Sequence, residues 1–449
     1  MHTGMFDSFV TRHWFHAEAK RLWSDEATLQ AWLDVEAALA QAQAGLGLIP
    51  AEAAATIAAH ADARLFDTER LAEEIAFAQH PLVPVLHRFE ELCGEPAAGY
   101  LHWGATTQNI FDTASALQMT ATHAVIARHL EQAIDALSRL ALEHRVTAQA
   151  GRTHGQHALP MTFGFKVSGW IDELDRERTR LDERLAGAFP ACMGGAIGTF
   201  AAMGPAGREV ERQLAALLGL RPAGLPMRSS YDRASDYIAA LGLLAGTAQK
   251  IAQDVVFMQR TEIGEAAESF HVGKVGSSTM AHKRNPSTAL LLASLARMLR
   301  ARVPAALEAM VRMDEGDSSA TNVTDTLLPE AAIIAASVAQ TLQRLAQGLV
   351  VDPQAMQRNL TCTQGLIASE AVMMRLTPLI GRHMAHRVLY DAAQRARSEC
   401  VPFLTAIVEH PLLQGLELPP TLAQALEPSR YVGGSASLTD ETVARVQRR

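Results

Sequence analysis

Aromatic residues make up only 5% of the 449 residues, and cysteine occurs four times. Cys93, Cys192, Cys362 and Cys400 are far apart and form no C-x-x-C pair. That usage fits free thiols in a reducing compartment and excludes a disulfide framework. An excess of basic charge is also missing. Lys and Arg total 40 against 48 Asp and Glu, a formal charge of -8, which excludes a strongly basic nucleic-acid footprint. Apolar stretches are broken by charged or polar residues well before 18 positions, so no membrane span is expected. The opening Met1-His2-Thr3-Gly4 carries no basic-then-apolar signal segment, and a cytoplasmic setting is expected. Alternating β-branched runs are almost absent as well. What remains is an ordinary globular composition, 48% apolar and 20% charged, in a chain long enough to bury a large core without disulfides or structural metal.

Long stretches without Gly or Pro predict helices. The clearest is 105–150, between Gly104 and Gly151. Ile126, Leu130, Ile134, Leu137 and Leu140 recur at helical spacing there. A helix of that length needs a bundle to cover its apolar stripe. Ser24 reads as an N-cap, with Asp25 and Glu26 in the first turn and Leu29, Trp32, Leu33 and Leu39 on the buried side. Gly45 and Gly47 end that helix. Residues 231–263, 287–303, 330–350 and 366–400 also read as helical. Pro/Gly clusters near 93–104, 151–164, 192–227 and 415–434 read as connections. Three pieces are expected: an N-terminal helical domain (1–105), a central long-helix domain (106–350) and a C-terminal helical domain (351–449).

Three clusters carry chemistry. The segment Gly273-Lys274-Val275-Gly276-Ser277-Ser278-Thr279-Met280-Ala281-His282-Lys283-Arg284-Asn285-Pro286 packs hydroxyls and cations into a glycine-hinged loop, a composition that suits a lid over an anion and a solvated basic loop equally. Gly151-Arg152-Thr153-His154-Gly155-Gln156-His157 follows the long helix. Its two histidines, three apart, lack a nearby third ligand, so no metal site is expected. His102-Trp103-Gly104-Ala105-Thr106-Thr107-Gln108-Asn109 precedes the long helix. Hydroxyls and free N–H groups at a helix start suit a carboxylate, while capping by Thr106 or Thr107 is the competing reading. Gly194-Gly195-Ala196-Ile197-Gly198 is no dinucleotide fingerprint, and no G-x-S-x-G elbow is present.

Together these clusters resemble the fumarase/aspartase superfamily. Gly276-Ser277-Ser278-Thr279-Met280-Ala281-His282-Lys283-Arg284-Asn285-Pro286 is similar to its signature G-S-S-x-M-P-x-K-x-N-P. The His-Lys-Arg-Asn-Pro ending is closest to the adenylosuccinate lyase and 3-carboxy-cis,cis-muconate cycloisomerase branch. The 151–158 cluster resembles the second conserved region, and Thr106-Thr107-Gln108-Asn109 with Asp112-Thr113-Ala114 resembles the first. The resemblance covers nearly the whole chain. It implies an all-α, three-domain fold whose long helices form a twenty-helix core in a homotetramer. It also implies active sites assembled from three chains, and a cofactor-free, metal-free β-elimination that releases fumarate.

By resemblance, Ser277 is the base, acting as an alkoxide under loop N–H groups, and His154 protonates the departing nitrogen. Lys283 and Asn285 hold the carboxylate that becomes a dianion. Thr106, Thr107 and Thr153 supply further carboxylate donors, and Gln108 and Ser278 bind substrate. His80 contacts substrate, and Arg233 of Tyr231-Asp232-Arg233 takes the second carboxylate. There are departures. Ala281 replaces the signature proline, and Leu290 stands where a carboxylate usually pairs with the catalytic histidine. The 314–325 stretch is acidic and lacks the arginine of phosphate-binding relatives, so an acidic wall is expected to repel a phosphate. The expected activity is therefore C–N cleavage of a small, non-phosphorylated N-substituted aspartate, an aminopolycarboxylate such as iminodisuccinate. A cycloisomerase or an adenylosuccinate lyase is the alternative.

Overall fold

The structure, a computed structural model of the single chain, describes residues 4–270, 277 and 279–448. Helices dominate. Those that matter for the site run Thr107–Glu143, Phe163–Ala188, Asp232–Met258, Ser287–Arg300 and Ser318–Gln347. Among the described residues no helix is long and apolar enough to cross a membrane. The described chain forms two compact units, one from 1–130, 176–249 and 291–341, the other from 131–175, 250–290 and 342–449.

The Thr107–Glu143 helix has 37 residues, about 55 Å at 1.5 Å per residue. The predicted stripe faces inward, with Ile126, Leu130, Ile134 and Leu137 all buried. Burial of each such side chain contributes roughly 1.5–3 kcal/mol. The helix stops at Glu143, seven residues short of the predicted end, because the chain beyond turns to strand. Ala148–Thr153 pairs antiparallel with Gln156–Thr162. Ala150 packs on Leu360 and Ile367. The 151–164 region, read from sequence as a connection, is thus largely a hairpin.

Phe163–Ala188 is a helix that the sequence reading passed over. Gly164, Gly169 and a dense charge run hide its period. Gly164 is required where it stands, since a Cβ there would lie 2.5 Å from the Ala141 carbonyl oxygen. The helix runs antiparallel to Asp232–Met258. Trp170 Nε1 donates to Asp254 at 2.9 Å in one unit, and Arg184 pairs with Asp236 at 2.7 Å in the other. His123 of the 107–143 helix meets both, through Tyr237 Oη (2.9 Å) and Asp182 (3.0 Å).

Other boundaries move for identifiable reasons. Ser318–Gln347 begins twelve residues before the predicted 330 because Asp317 supplies its start, accepting from the Ser319 amide at 2.9 Å. The predicted 366–400 helix is Ser369–Ser398 with a break at Gly381, whose φ of 75° and ψ of 157° lie outside helical space. The 192–227 connection contains a helix, Gly207–Leu217. The N-terminal helix is as read: Ser24 Oγ accepts from the Ala27 amide, and Asp25–Gly45 buries Leu29, Leu33 and Leu39.

Candidate active site

The first cluster is built in the unit holding the N-terminal helices. His102 Nδ1 lies 2.6 Å from the buried Glu36 carboxylate. Burial pulls the His102 pKa down, but the Glu36 bond and charge outweigh it and the net shift is upward. Gln43 donates to the Trp103 carbonyl at 2.7 Å. The helix start is capped by Asn109. Its Oδ1 accepts from the Thr106 amide (3.0 Å) while its own amide donates to the Thr106 carbonyl (2.8 Å), a relative of the capping box. Capping therefore falls to the asparagine, and among the described residues no capping bond engages the Thr106 or Thr107 hydroxyl. His80 Nδ1 accepts from the Val83 amide, which in a neutral ring leaves the hydrogen on Nε2, 3.5 Å from Thr107 Oγ1. The two expected substrate contacts, His80 and Thr107, thus meet. Gln108 is buried and its amide donates to Asp112 at 2.7 Å. Arg233 is the exposed second residue of the Asp232–Met258 helix.

Beside this cluster the acidic 314–325 stretch is not the bare wall expected. Arg228 lies flat on Gly316, where a Cβ would sit 3.3 Å from its Cζ. Arg312 stacks on the Tyr231 ring at 4.5 Å and donates to the Arg228 carbonyl at 3.2 Å. Two arginines from outside the stretch therefore offset part of the charge of its four carboxylates, Asp314, Glu315, Asp317 and Asp325. Asp112 faces the same group. Burial raises its carboxyl pKa to about 6, against the pull of the Gln108 bond, Arg312 and Arg228.

The second and third clusters lie in the other unit. His154 and Gly155 are the two central residues of the hairpin turn, with φ of 54° and 76°. Thr153 pairs with Gln156 across it. Two consecutive positive φ values define the turn that matches the twist of paired strands. The turn holds Thr153 and His154 exposed at the tip. The strand behind the tip is anchored by Arg152. Its guanidinium grips Glu265 with two bonds, 2.9 and 2.6 Å, and Asn359 donates to the same carboxylate at 2.8 Å. Glu265 is fully buried. His157, on the opposite strand, has its pKa lowered by burial first and by Arg152 second.

Glu265 leads into the short strand Ala266–Glu268, after which the signature loop begins. Ser278 and residues 271–276 lie outside the described residues, so the role expected of Ser278 is not placed. Ser277 Oγ accepts from the Met280 amide at 3.0 Å and the Thr279 amide at 3.4 Å. The far end of the loop is tied down twice. Gln259 accepts from the Glu268 amide and donates to the Arg284 carbonyl, both at 3.0 Å. Glu268 caps the Ser287–Arg300 helix by accepting from the Thr288 and Ala289 amides. Lys283 is exposed and Asn285 half-buried on this stretch. Leu290 is 49% exposed on the first turn of the same helix.

The chemistry these parts support is anion binding with a hydroxyl base. Ser277 carries its oxygen under two N–H donors, and cationic and amide side chains follow within eight residues. Sequence reasoning missed the supports: Glu265, Asn359, Gln259 and Glu268. Each is remote in sequence from what it holds, and only Arg152, inside a recognised motif, offered a signal.

The chain matches the family model described as Lyase over residues 16–301 and that described as Adenylosuccinate lyase C-terminus over 365–442. It is 37% identical to an N-acetyl-S-(2-succino)cysteine lyase of Dickeya dadantii, over 95% of this chain and 94% of that one. It is 34% identical to an adenylosuccinate lyase of Methanocaldococcus jannaschii, over 95% and 93%. The solved structure of a 3-carboxy-cis,cis-muconate lactonizing enzyme from Pseudomonas putida superposes with a TM-score of 0.89 at 33% identity, covering 97% of this chain and 98% of that one. The chain belongs to the lyase family of the fumarase/aspartase superfamily, in the branch that holds adenylosuccinate lyases and carboxymuconate cycloisomerases. It is a lyase with the all-α fold of that superfamily.

Proposed function

We propose that the enzyme catalyses β-elimination from a small, non-phosphorylated 2-substituted succinate and releases fumarate. The observation that carries this reading is the Ser277 oxygen under the Met280 and Thr279 amides. A serine is a poor base until its alkoxide is stabilised, and two amide donors aimed at the oxygen do that. The alkoxide removes the proton beside a carboxylate, which becomes a doubly charged aci-carboxylate. Lys283 and Asn285 bind that charge as it develops, where binding accelerates the step. Thr106, Thr107 and Thr153 add donors, His80 orients the Thr107 hydroxyl, and Arg233 holds the other carboxylate. His154 protonates the leaving atom. The working form is a cytoplasmic homotetramer that needs no cofactor, with Ser277, Thr107 and His154 drawn from three chains.

Nitrogen is the leaving atom in the first reading, because an amine leaves poorly without an acid and His154 supplies one. Iminodisuccinate is a fitting substrate. A thioether is the second reading, favoured by the 37% identical relative named for an S-succinyl cysteine. A thiolate leaves with less help, which suits a His154 lacking a carboxylate partner at Leu290. Retention of His154 argues against cycloisomerisation. The 314–325 stretch carries four carboxylates and no arginine of its own, which disfavours the dianionic phosphate of adenylosuccinate more than a single carboxylate. The test is fumarate absorbance with iminodisuccinate, an S-succinyl thiol, adenylosuccinate and 3-carboxymuconate offered separately. Fumarate from either of the first two supports the proposal. Turnover of adenylosuccinate or 3-carboxymuconate alone overturns it.

A further inference from the structure

We infer that the cavity beside the Thr107–Glu143 helix is the subsite for the leaving half of the substrate, and that Arg228 there holds a carboxylate on that half. The inference rests on the β-elimination reading and adds the substrate class to it.

The cavity is lined by Asp112, Phe189, Cys192, Arg228, Tyr231 and Arg233, among others. Asp112 lies five residues after Thr107, about 7.5 Å along the helix axis. Gln108, next to Thr107, bonds directly to Asp112. A succinyl group bound at Thr106 and Thr107 would therefore place a substituent of a few atoms in this cavity.

Arg228 is built to take an anion there. One Nη donates to the Ala196 carbonyl at 2.6 Å. Its Nε is buried with no hydrogen-bond partner among the described residues. The guanidinium plane is fixed by Gly316 below it, and its backbone carbonyl is fixed by Arg312. With one Nη committed, Nε and the other Nη form a side-on fork. That fork matches the two oxygens of a carboxylate, and an arginine held in place loses little entropy on binding one. A buried N–H left unfilled is costly, which gives the ligand its purchase. Phe189, Leu225 and Pro226 offer apolar wall to the carbon chain between. The leaving half is thus an amino- or thio-carboxylic acid rather than a simple amine or thiol.

The test uses matched substrates on the full-length enzyme. N-(2-carboxyethyl)aspartate is paired with N-propylaspartate, and S-(2-succinyl)-N-acetylcysteine with S-(2-succinyl)-N-acetylcysteamine. The wild type should prefer the carboxylate-bearing member of whichever pair it cleaves. Arg228→Gln should shrink that ratio of kcat/KM by about 30-fold, the scale of a charge-assisted hydrogen bond. Arg228→Lys, which keeps charge without the fork, should fall between. No preference in the wild type, or an unchanged ratio in Arg228→Gln, overturns the assignment. If no member yields fumarate, the elimination reading itself has failed, and the subsite is decided by calorimetry with N-acetylcysteine and with β-alanine. Binding of either that weakens at least tenfold in Arg228→Gln, by the same reasoning, supports it. Absent or equal binding of both overturns it.

Discussion

Replacing Arg152 by Met should separate the support of the active site from its chemistry. In the wild type the Glu265 carboxylate is fully buried and accepts two bonds from Arg152 and one from Asn359. Methionine keeps much of the packing volume against Phe257, over whose ring Arg152 lies at 5.3 Å, but removes the charge. A buried carboxylate is left with Asn359 as its described side-chain donor. Breaking a buried pair in this way costs about 3–5 kcal/mol. Arg152→Met/Glu265→Leu removes both charges and should recover most of that loss. The hairpin tip carrying His154 loses its anchor in both variants. A misplacement of about 1 Å lowers kcat on the order of 100-fold, so activity should not recover with stability. Urea unfolding and fumarate release, measured on both variants, read the two effects separately. A single variant within about 1 kcal/mol of wild type, or a double variant no more stable than the single, would refute the reasoning.

Asp112 gives a pH prediction. Its carboxyl is raised to about 6 in the fold, so the native state binds the proton more tightly than the unfolded chain. Stability present below about pH 4 is then lost as pH climbs through 6, by roughly 3 kcal/mol. Asp112→Asn should lack that slope, and urea midpoints from pH 4 to pH 7 that run parallel in the two proteins would count against it. A second prediction concerns assembly. It rests on the proposed tetramer, in which Thr107, Ser277 and His154 come from three chains. Inactive Ser277→Ala and His154→Ala proteins, mixed, mildly unfolded and reassembled, should regain activity well above either parent. Continued inactivity in mixed tetramers confirmed by mass would place Ser277 and His154 on the same chain or remove one from its role.

The long helices were legible because their apolar stripes repeat at helical spacing, as Ile126, Leu130, Ile134 and Leu137 do. The hairpin was not, since Ala148–Thr153 has no β-branched residue before Thr153 and its turn carries His154 at a positive φ, a conformation more typical of glycine. Phe163–Ala188 was hidden by Gly164, which allows close approach to the Ala141 carbonyl, by Gly169 and by a dense charge run. The motif residues of the candidate site could be picked out because the chemistry proposed for them is local: hydroxyls, cations and glycines within one short segment. The anchors were not. Glu265 serves Arg152 across 113 residues and Asn359 serves Glu265 across 94, and nothing in the local sequence pattern encodes such a pairing. The arginine beside the acidic stretch escaped for the same reason, because Arg228 reaches it from 88 residues upstream in the sequence.

The claim that Ser277 is the base of a fumarate-releasing elimination is tested most directly by the Ser277→Ala variant. The substrate should be the one the wild type cleaves, with fumarate followed by absorbance and ligand binding followed in parallel. The account predicts loss of kcat by about three orders of magnitude or more with binding retained, because the alkoxide acts in the transition state and not in ground-state affinity. A variant that binds substrate and keeps about a tenth of the wild-type kcat, less loss than removing a general base brings, would contradict it.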